Sequence, residues 1–569
     1  MPGTFDVQSI TKTTFQLAAA FWLAPQRRTM QWLLGLLLVG LATIYTGLNL
    51  WLNNINKAFY DALQRLDATG FHQSVMQFFI VVGFLVVVVT TMRYLEQAIE
   101  IRWRKHMTDS MMRRWLDGHT FYRMERDGLC DNPDQRISQD IAEYVKLMIS
   151  LTLGFITNFG TLITMGWVLW KSAGPMTFHV GGSALTLPGY LFWLAIFWGV
   201  LQTIATHLAG HRLAGYTVEQ QSAEADFRFS LAKAREASEQ IALYRGQPAE
   251  LGRLDRLFGE IQRNWSYLMR HNMYLNATTT SFTVIAVLVP VIAVSPKVLS
   301  GELTLGTLMQ DIAAFSAMTA AVAWFALSYR DLFQLSARVR RLRAMNEAME
   351  APVPPGIKTQ RDPVTENIAG SDVSLNLPNG RLLSEIKAFL FAPGQRWMVK
   401  GPSGVGKSTL LRAIAGLWPF GEGSISIPLN ARIMFMPQKN YLADGPLKET
   451  LAYPLDVDEV GQEQLTAVLV DCKLPHLVAR LNDVARWSHL LSPGEQQRLA
   501  FARVLLYRPD ILFMDEASSA LDNATEAHLY QLVIDRLPKC MIISVAHRTT
   551  LEAFHDNTLN IVAPARSPG

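Results

Sequence analysis

Residues 401–408 read Gly-Pro-Ser-Gly-Val-Gly-Lys-Ser, a glycine-rich run that ends in a lysine and a hydroxyl. This is the Walker A pattern, in which glycines let successive backbone N–H groups turn inward onto phosphate oxygens. Residues 396–400 (RWMVK) predict a buried strand before it, and residues 409–417 (TLLRAIAGL) predict a helix whose N-terminus faces the phosphates. A glycine-rich turn without a ligand is the alternative, and the two flanks argue against it.

Two side chains at the end of this run carry the chemistry. Lys407 is placed to reach the β- and γ-phosphates of a nucleotide, and the Ser408 hydroxyl is placed to hold Mg²⁺. The run therefore predicts ATP and Mg²⁺ as cofactors. Its predicted nucleotide-binding residues are Gly401, Pro402, Ser403, Gly404, Val405, Gly406, Lys407, Ser408 and Thr409.

A second apolar run ends in two acids. Residues 511–516 read Ile-Leu-Phe-Met-Asp-Glu, which is typical of a buried strand that carries carboxylates to a phosphate site, the Walker B pattern. Asp515 would hold Mg²⁺ through water, and Glu516 would orient and deprotonate the attacking water. Two solvated acids at a strand end are the alternative, which the phosphate loop upstream disfavours.

The N-terminal part of the chain carries long apolar stretches. Of 569 residues, 50% are hydrophobic and 18% are charged, against about a quarter charged in ordinary soluble domains. Six stretches approach the ~20 residues that a bilayer core requires, which favours membrane helices over a soluble helical core. The net charge of +4 is too small to indicate nucleic acid as a partner. The predicted spans lie at about 31–52, 73–95, 147–170, 187–209, 276–299 and 307–329.

Positive charge orients these spans. Segments 96–146 and 210–275 each hold nine Lys or Arg, whereas the short segments 53–72, 171–186 and 296–306 hold one or two each. Because basic residues collect in cytoplasmic segments, both termini and the two long segments are predicted to be cytoplasmic. The long segments are too long for turns, so we expect the spans to continue through them as helices. The lipid bilayer is therefore a predicted partner.

Three smaller features of the membrane half are also predicted. Short helices near 120–140 and 215–230 would contact another domain on the cytoplasmic side. Residues 14–22 (TFQLAAAFW) favour an amphipathic helix in the membrane interface, with a frayed tail as the alternative. Asp311, near the start of the sixth span, is a candidate cavity residue, and an interfacial position is the alternative.

The composition changes after the sixth span. A basic cluster at 338–343 (RVRRLR) is followed by the Pro-rich run 351–356 (APVPPG), and from about 360 short apolar strands alternate with helices. We therefore predict a membrane domain over 1–345, a linker over 346–362 and an α/β nucleotide-binding domain over 363–569.

Residues 491–498 read Leu-Ser-Pro-Gly-Glu-Gln-Gln-Arg and precede the Walker B run. They resemble the L-S-G-G-Q signature of the ABC transporter ATPases, with Pro493 in place of the first glycine. Three further runs resemble motifs of that family: Gln438 in MPQ (the Q-loop), Asp522 in SALD (the D-loop) and His547 in SVAHR (the switch histidine). Each of these is weak alone, but all six motifs together, in the family's order, are specific.

The resemblance implies a composite ATP site. In this family the signature turn, here Ser492 to Gly494, contacts ATP that is held by the phosphate loop of a second domain. One chain has one such domain, so the resemblance implies a half-transporter that works as a homodimer. It further implies roles by motif: Glu516, His547 and Gln438 catalytic, Ser408, Gln438 and Asp515 at Mg²⁺, and Ser492, Gly494 and Asp522 at the nucleotide.

One position departs from the family pattern. The aromatic residue that stacks on adenine in this family should fall near Leu377 and Pro378, where the chain has no Tyr or Phe. Leu377 is therefore predicted to cover the base by apolar contact alone.

The resemblance extends to the membrane half. Residues 102–104 (RWR), 131–137 (DNPDQRI) and 416–419 (GLWP) resemble bacterial transporters related to SbmA and BacA, including YddA-like fusion proteins, which are akin to the peroxisomal D-subfamily ABC proteins. This implies a six-helix, type I exporter-like membrane domain followed by an α/β P-loop domain. It also implies ATP-driven movement of a peptide, cobalamin-like or fatty-acyl-like substrate across the bacterial inner membrane, with the direction left open. The alternative is a membrane-anchored ABC ATPase that gates a partner and transports nothing.

Overall fold

The computed structural model describes residues 7–23, 28–172, 174–180, 183–352, 354–546 and 548–563. The chain divides into two units, Met1–Met349 and Glu350–Gly569. Long apolar helices build the first unit, and helices around β-sheets build the second. The predicted two-part fold, with a six-helix membrane domain followed by an α/β domain, is confirmed.

Helices account for most of the first unit. Its elements are α1 (Val7–Trp22), α2 (Arg28–Gln64), α3 (Ala68–Leu116), α4 (Thr120–Arg126), α5 (Pro133–Gln135), α6 (Ile141–Ser172), β1 (Met176–Val180), β2 (Ser183–Leu187), α7 (Tyr190–Gly210), α8 (Leu213–Glu236), α9 (Ser238–Leu243), α10 (Gln247–Leu299) and α11 (Leu305–Glu350). The strands β1 and β2 form an antiparallel hairpin between α6 and α7. A π-helical segment at Arg136–Asp140 leads into α6.

Six helical stretches of the described chain are long and apolar enough to cross a membrane. At ~1.5 Å per residue, α10 is about 80 Å long, far more than the ~30 Å of a hydrocarbon core. The spans therefore continue beyond the membrane as helices, in agreement with the prediction. The predicted spans lie within these stretches, except for residues 187–189: Thr29–Gln64, Ala68–Arg126, Pro133–Ser172, Tyr190–Glu236, Gln247–Leu299 and Leu305–Glu350.

The predicted short helix near 215–230 is wrong. That segment lies inside α8. The short helix in this part of the chain is α9, which follows α8 and ends before Tyr244. The helical periodicity of this stretch is uninterrupted, so the chain has no reason to turn before Ala237, whose ψ of 20° departs from helical geometry. The other predicted segment, 120–140, does contain a short helix, α4.

The helix α1 packs against α3 and α6. The Phe21 ring stacks on Trp103 with ring centroids 5.3 Å apart, and the Tyr144 hydroxyl donates to the Thr14 carbonyl oxygen at 3.1 Å. Residues 14–22 are helical, as predicted, so the frayed-tail alternative is wrong, and their position in the membrane interface stays a prediction. In another core of this unit, Asp311 is fully buried and accepts a hydrogen bond from Ser172.

The second unit alternates strands and helices. Its elements are β3 (Lys358–Asp362), β4 (Ile368–Asn376), β5 (Leu382–Phe391), β6 (Arg396–Lys400), α12 (Lys407–Ile414), β7 (Gly421–Pro428), β8 (Ile433–Met436), β9 (Gly445–Pro446), α13 (Leu447–Ala452), α14 (Gln462–Asp471), β10 (Val484–Ala485), α15 (Trp487–Leu490), α16 (Pro493–Tyr507), β11 (Ile511–Asp515), α17 (Asn523–Arg536), β12 (Met541–Val545) and β13 (Asn557–Asn560). The predicted linker segment, 346–362, contains the end of α11 and all of β3.

A five-stranded sheet positions the site in this unit. Its order is β13-β6-β12-β11-β8, and all four pairings are parallel. The carboxyl ends of parallel strands meet at one edge, so the segments that follow β6, β8, β11 and β12 converge there. The sheet is anchored by buried side chains such as Phe513 and Val399, and a second core surrounds Trp487 and Phe501. Full burial of one such large side chain contributes about 1.5–3 kcal/mol.

Candidate nucleotide site

The phosphate loop connects β6 to α12, as its flanks predict. Gly406 precedes α12 with a φ of 99°, a left-handed conformation that favours glycine. The Lys407 ammonium is buried and donates to the carbonyl oxygens of Gly401 and Pro402 at 2.8 and 3.0 Å. Both partners are neutral carbonyl groups and neither is a carboxylate, which leaves this side chain available to pair with an anionic ligand in the loop.

The loop contacts the first acid of the Walker B run directly. The Ser408 hydroxyl donates to Asp515 Oδ1 at 2.8 Å, across the sheet edge from α12 to the end of β11. A hydroxyl and a carboxylate oxygen within contact distance are the hard oxygen ligands that Mg²⁺ prefers. These two residues therefore fit the cation that the sequence predicts.

The second acid lies beside the predicted Q-loop. Glu516 has a φ of 50°, and its amide donates to the Val545 carbonyl oxygen at 3.0 Å, so the chain turns sharply after β11. The Gln438 amide donates to Glu516 Oε2 at 3.0 Å. A left-handed residue other than glycine is uncommon and is found disproportionately at functional sites. The structure thus places Ser408 beside Asp515 and Gln438 beside Glu516. These two acids are consecutive residues at the end of β11.

The signature turn starts a 15-residue helix, α16. Ser492 is its N-cap: the Ser492 hydroxyl accepts from the Glu495 amide, and the Ser492 amide donates to Glu495 Oε2 at 2.9 Å. Pro493 occupies the first helical position, where its missing N–H and fixed φ are favourable. Proline in place of the family's glycine therefore suits a helix start. Both Ser492 and Pro493 are exposed, which leaves the positive end of the helix open to an anion.

Two family profiles match the chain. "ABC transporter transmembrane region 2" matches residues 19–299, and "ABC transporter" matches residues 387–519. An Escherichia coli protein named inner membrane ABC transporter ATP-binding protein YddA is 32% identical over 552 residues, which are 96% of this chain and 97% of that protein. The chain belongs to the ABC transporter family. It is an ATP-hydrolysing transporter with fused membrane and ATP-binding domains.

Eukaryotic members of the family also align along most of the transporter. ABC transporter D family member 2, chloroplastic, of Arabidopsis thaliana is 26% identical, and the match covers 98% of this chain and 86% of that protein. The human lysosomal cobalamin transporter ABCD4 is 26% identical, with 90% of this chain and 88% of that protein covered. The resemblance to YddA-like and D-subfamily half-transporters that the motifs carry is thereby confirmed.

The remaining predicted positions lie around this site. Leu377 is half-buried at the β4–β5 turn, where its amide donates to the Arg381 carbonyl oxygen at 2.8 Å. Asp522 is the N-cap of α17 and accepts from the Thr525 amide at 2.9 Å; hydrogen bonds from Thr525 hold the pKa of Asp522 below its ordinary value. His547 lies outside the described residues, directly after β12 and Ala546 in the sequence.

The structure adds a buried arginine that the motifs do not mark. Arg503, in α16, is 5% exposed and donates to the carbonyl oxygens of Tyr441 at 2.7 Å and Thr450 at 2.6 and 2.9 Å. Tyr441 is three residues after Gln438, so Arg503 connects the signature helix to the segment that carries Gln438. Burial lowers the pKa of Arg503 to about 10, which still leaves it charged at neutral pH. In the sequence, Arg503 could have been recognised as the single charged residue in the apolar run LAFARVLL.

Proposed function

We propose that two copies of this chain form a transporter that moves a peptide, a cobalamin-like or a fatty-acyl-like compound across the bacterial inner membrane. Each ATP would lie between the phosphate loop of one copy and the Ser492–Gly494 turn of the other. The observation that carries this proposal is the exposed, capped start of α16. A helix N-terminus of this kind binds phosphate oxygens, and an exposed one is open to a ligand that a second copy presents.

Within each site the residues divide into binding and reacting groups. The phosphate loop amides and Lys407 bind the phosphates, while Ser408, Asp515 and Gln438 would hold Mg²⁺, which neutralises charge on the phosphoryl oxygens. Glu516 accepts the proton of the attacking water, a role that the adjacent Gln438 amide supports by orienting its carboxylate.

Other positions complete the proposed site. Thr409 follows Ser408 at the start of α12 and extends the phosphate-binding loop. Leu377 covers the adenine by apolar contact, Asp522 borders the nucleotide, and His547 is the third catalytic residue.

The membrane half is proposed to extend over 1–345, with a linker over 346–362 and the ATP-binding domain over 363–569. The nine Lys or Arg in each of the segments 96–146 and 210–275 support a cytoplasmic position for these segments and for both termini. The name of the Escherichia coli relative supports the inner membrane as the location. That of the human relative supports a cobalamin-like compound among the candidate substrates.

Transport in proteoliposomes tests the proposal against the anchored-ATPase alternative. Purified protein would be reconstituted, and ATP-dependent movement of labelled peptides, cobalamin and acyl compounds would be measured, with Glu516→Gln as the matched inactive control. We expect one of these classes to move with ATP and to stimulate hydrolysis. Hydrolysis that responds to none of them, without any movement, would favour the anchored ATPase.

The proposed stoichiometry has its own test. Light scattering of the detergent-purified protein should give two chains per particle. A monomer that hydrolyses ATP at full rate would contradict the composite site.

A further inference from the structure

The loop between Glu516 and α17, residues 519–522, is held by the signature helix. Gln497 of α16 is 5% exposed, its amide nitrogen donates to the Ser519 hydroxyl at 3.1 Å, and its carbonyl oxygen accepts from the Ala520 amide at 2.9 Å. A Cβ added at Gly494 would lie 3.3 Å from the Ala520 carbonyl oxygen. The signature turn and the 519–522 loop are therefore in direct contact within one chain.

Arg548 holds the same loop from the other side. Its Nη1 donates to the Leu521 carbonyl oxygen at 2.8 Å, and its Nη2 donates to the Ser519 carbonyl oxygen at 2.9 Å. The planar guanidinium thus contacts two carbonyl groups that are two residues apart, each through its own nitrogen in a fixed fork, whereas a lysine has one nitrogen on a flexible stem. Arg548 directly follows His547 in the sequence.

A buried carboxylate orients the guanidinium. Glu526 of α17 is 1% exposed, and its Oε1 lies 3.5 Å from Arg548 Nη1. Its Oε2 accepts from the Thr550 hydroxyl at 3.0 Å. Because a carboxylate is costly to bury without a cation, Glu526 and Arg548 stabilise each other's position.

We propose that Arg548 is a positioning residue for ATP hydrolysis, which fixes the 519–522 loop and thereby couples the Ser492–Gly494 turn to Glu516. The 519–522 loop is joined to Glu516 directly, since the Glu516 carbonyl oxygen accepts from the Ser519 amide at 3.2 Å. A shift of α16 on contact with ATP reaches this loop through Gln497, and Arg548 transmits it to the segment after β12. The inference rests on the proposed composite site, since the turn receives its ATP from a second copy.

Arg548→Lys tests the inference, because it keeps the charge and removes the rigid fork in which two nitrogens each contact one carbonyl group. We expect kcat for ATP hydrolysis to fall about tenfold or more while KM for ATP stays within about twofold, since the phosphate loop is untouched. Arg536→Lys is the matched control: Arg536 lies on α17, is 63% exposed and pairs with Asp471. A residue with a purely structural role would lower the melting temperature without separating kcat from KM. An unchanged kcat in folded Arg548→Lys overturns the inference.

A second variant decides the case in which Arg548→Lys does not fold. Glu526→Gln removes the charge behind Arg548 and preserves the shape of the side chain, so we expect the same separation of kcat from KM with a smaller loss, about threefold. An unchanged kcat in that variant then overturns the inference.

The inference and the proposed function fail in different ways. The Glu516→Gln protein with Arg548 intact should bring its two ATP-binding domains together on ATP addition, measured by cross-linking. If this association is absent, the composite site is wrong. If it is present and Arg548→Lys hydrolyses ATP normally, only the role of Arg548 is wrong.

Discussion

Carboxylates in the two halves of the chain meet different partners. In the ATP-binding half, Asp515 accepts a hydrogen bond from the neutral Ser408 hydroxyl at 2.8 Å. In the membrane half, the fully buried Asp140 pairs with the guanidinium groups of Arg338 and Arg341 at 2.6 and 3.0 Å. A carboxylate with a neutral partner can still bind a cation, whereas two arginines already neutralise Asp140. The comparison distinguishes a carboxylate available for chemistry from one that holds helices together.

The surroundings of Asp140 support a structural role. It ends the π-helical segment Arg136–Asp140, and the Arg136 Nη1 donates to the Arg341 carbonyl oxygen at 2.8 Å. Arg136 also pairs with Asp131. Hydrogen bonds and ion pairs thus hold the segment that leads into α6 against the C-terminal part of α11. In the sequence, α11 is followed by the ATP-binding half of the chain.

The largest expected effect is the loss of turnover in Glu516→Gln. The amide cannot accept the proton of the attacking water, so we expect hydrolysis to fall by about 10²–10⁴-fold while ATP still binds. Steady-state hydrolysis and equilibrium binding of a fluorescent ATP analogue measure the two quantities. Glu552→Gln, which changes a half-exposed acid paired with Lys400, is the control. Hydrolysis near the wild-type rate in Glu516→Gln would refute its assignment as the reactive carboxylate.

A smaller effect is expected for Lys407→Ala, which should bind ATP more weakly. Removal of a charge-assisted contact to phosphate corresponds to about 1.5–3 kcal/mol, or roughly 10–100-fold in affinity. Lys400→Ala, on the preceding strand, should bind ATP normally, because Lys400 pairs with Glu552. Unchanged nucleotide affinity in Lys407→Ala would contradict the phosphate-loop assignment.

In the membrane half, Asp140→Asn should destabilise the protein without changing ATP affinity. The variant leaves two arginines without a counter-charge; because their side chains are 33% and 34% exposed, we expect about 2 kcal/mol, below the cost for fully buried pairs. Glu347→Gln is the matched control, since Glu347 and its partner Arg343 are 61% and 44% exposed and the loss of this pair should cost under about 1 kcal/mol. Thermal unfolding in detergent measures both. Equal melting temperatures for the two variants would contradict the structural role of Asp140.

The smallest expected effect concerns the capping box of α16. Glu495→Ala should lower the free energy of unfolding by about 1 kcal/mol, whereas Glu495→Gln keeps an acceptor for the Ser492 amide and should cost less. Chemical denaturation distinguishes the two. Indistinguishable variants would mean that the turn is not held by this contact.

The same glutamate predicts a pH dependence. Partial burial raises the pKa of Glu495, but hydrogen bonds from Ser492 and the contact with His476 outweigh it and hold that pKa below its ordinary value. Because the folded-state pKa is the lower one, the stabilisation is present above the unfolded value of about 4.3 and is lost as the pH falls through the folded value. This acid-side loss should be absent in Glu495→Gln.

The two halves also differ in what their sequences reveal. Ser408, Gln438, Asp515 and Glu516 belong to short runs with fixed spacing, and parallel strands bring the ends of such runs to one edge, so their meeting is predictable. Asp140 and Arg338 are 198 residues apart on long helices, and hydropathy does not specify how such helices rotate against each other.

Two further differences between the predictions and the structure also have local causes. The helix α8 extends from Leu213 to Glu236 and is longer than the short helix predicted near 215–230, because helical periodicity indicates that a helix exists more firmly than where it stops. Gln497 and Arg548 stand in two different motif runs and Glu526 in none, and their contacts with the 519–522 loop and with each other arise only when α16, α17 and the segment after β12 pack together.

The central claim, that each ATP lies between two copies of the chain, is tested most directly by mixing two defective chains. Lys407→Ala inactivates the phosphate loop. Pro493→Asp places a negative charge on the exposed turn, where it repels phosphate while an acid in the first helical turn stabilises α16.

In a mixed dimer, the intact loop of the Pro493→Asp copy meets the intact turn of the Lys407→Ala copy. Dimers isolated through two different affinity tags should therefore regain ATP hydrolysis that both parent homodimers lack. Mixed dimers as inactive as their parents, or full activity of Pro493→Asp alone, would contradict the account.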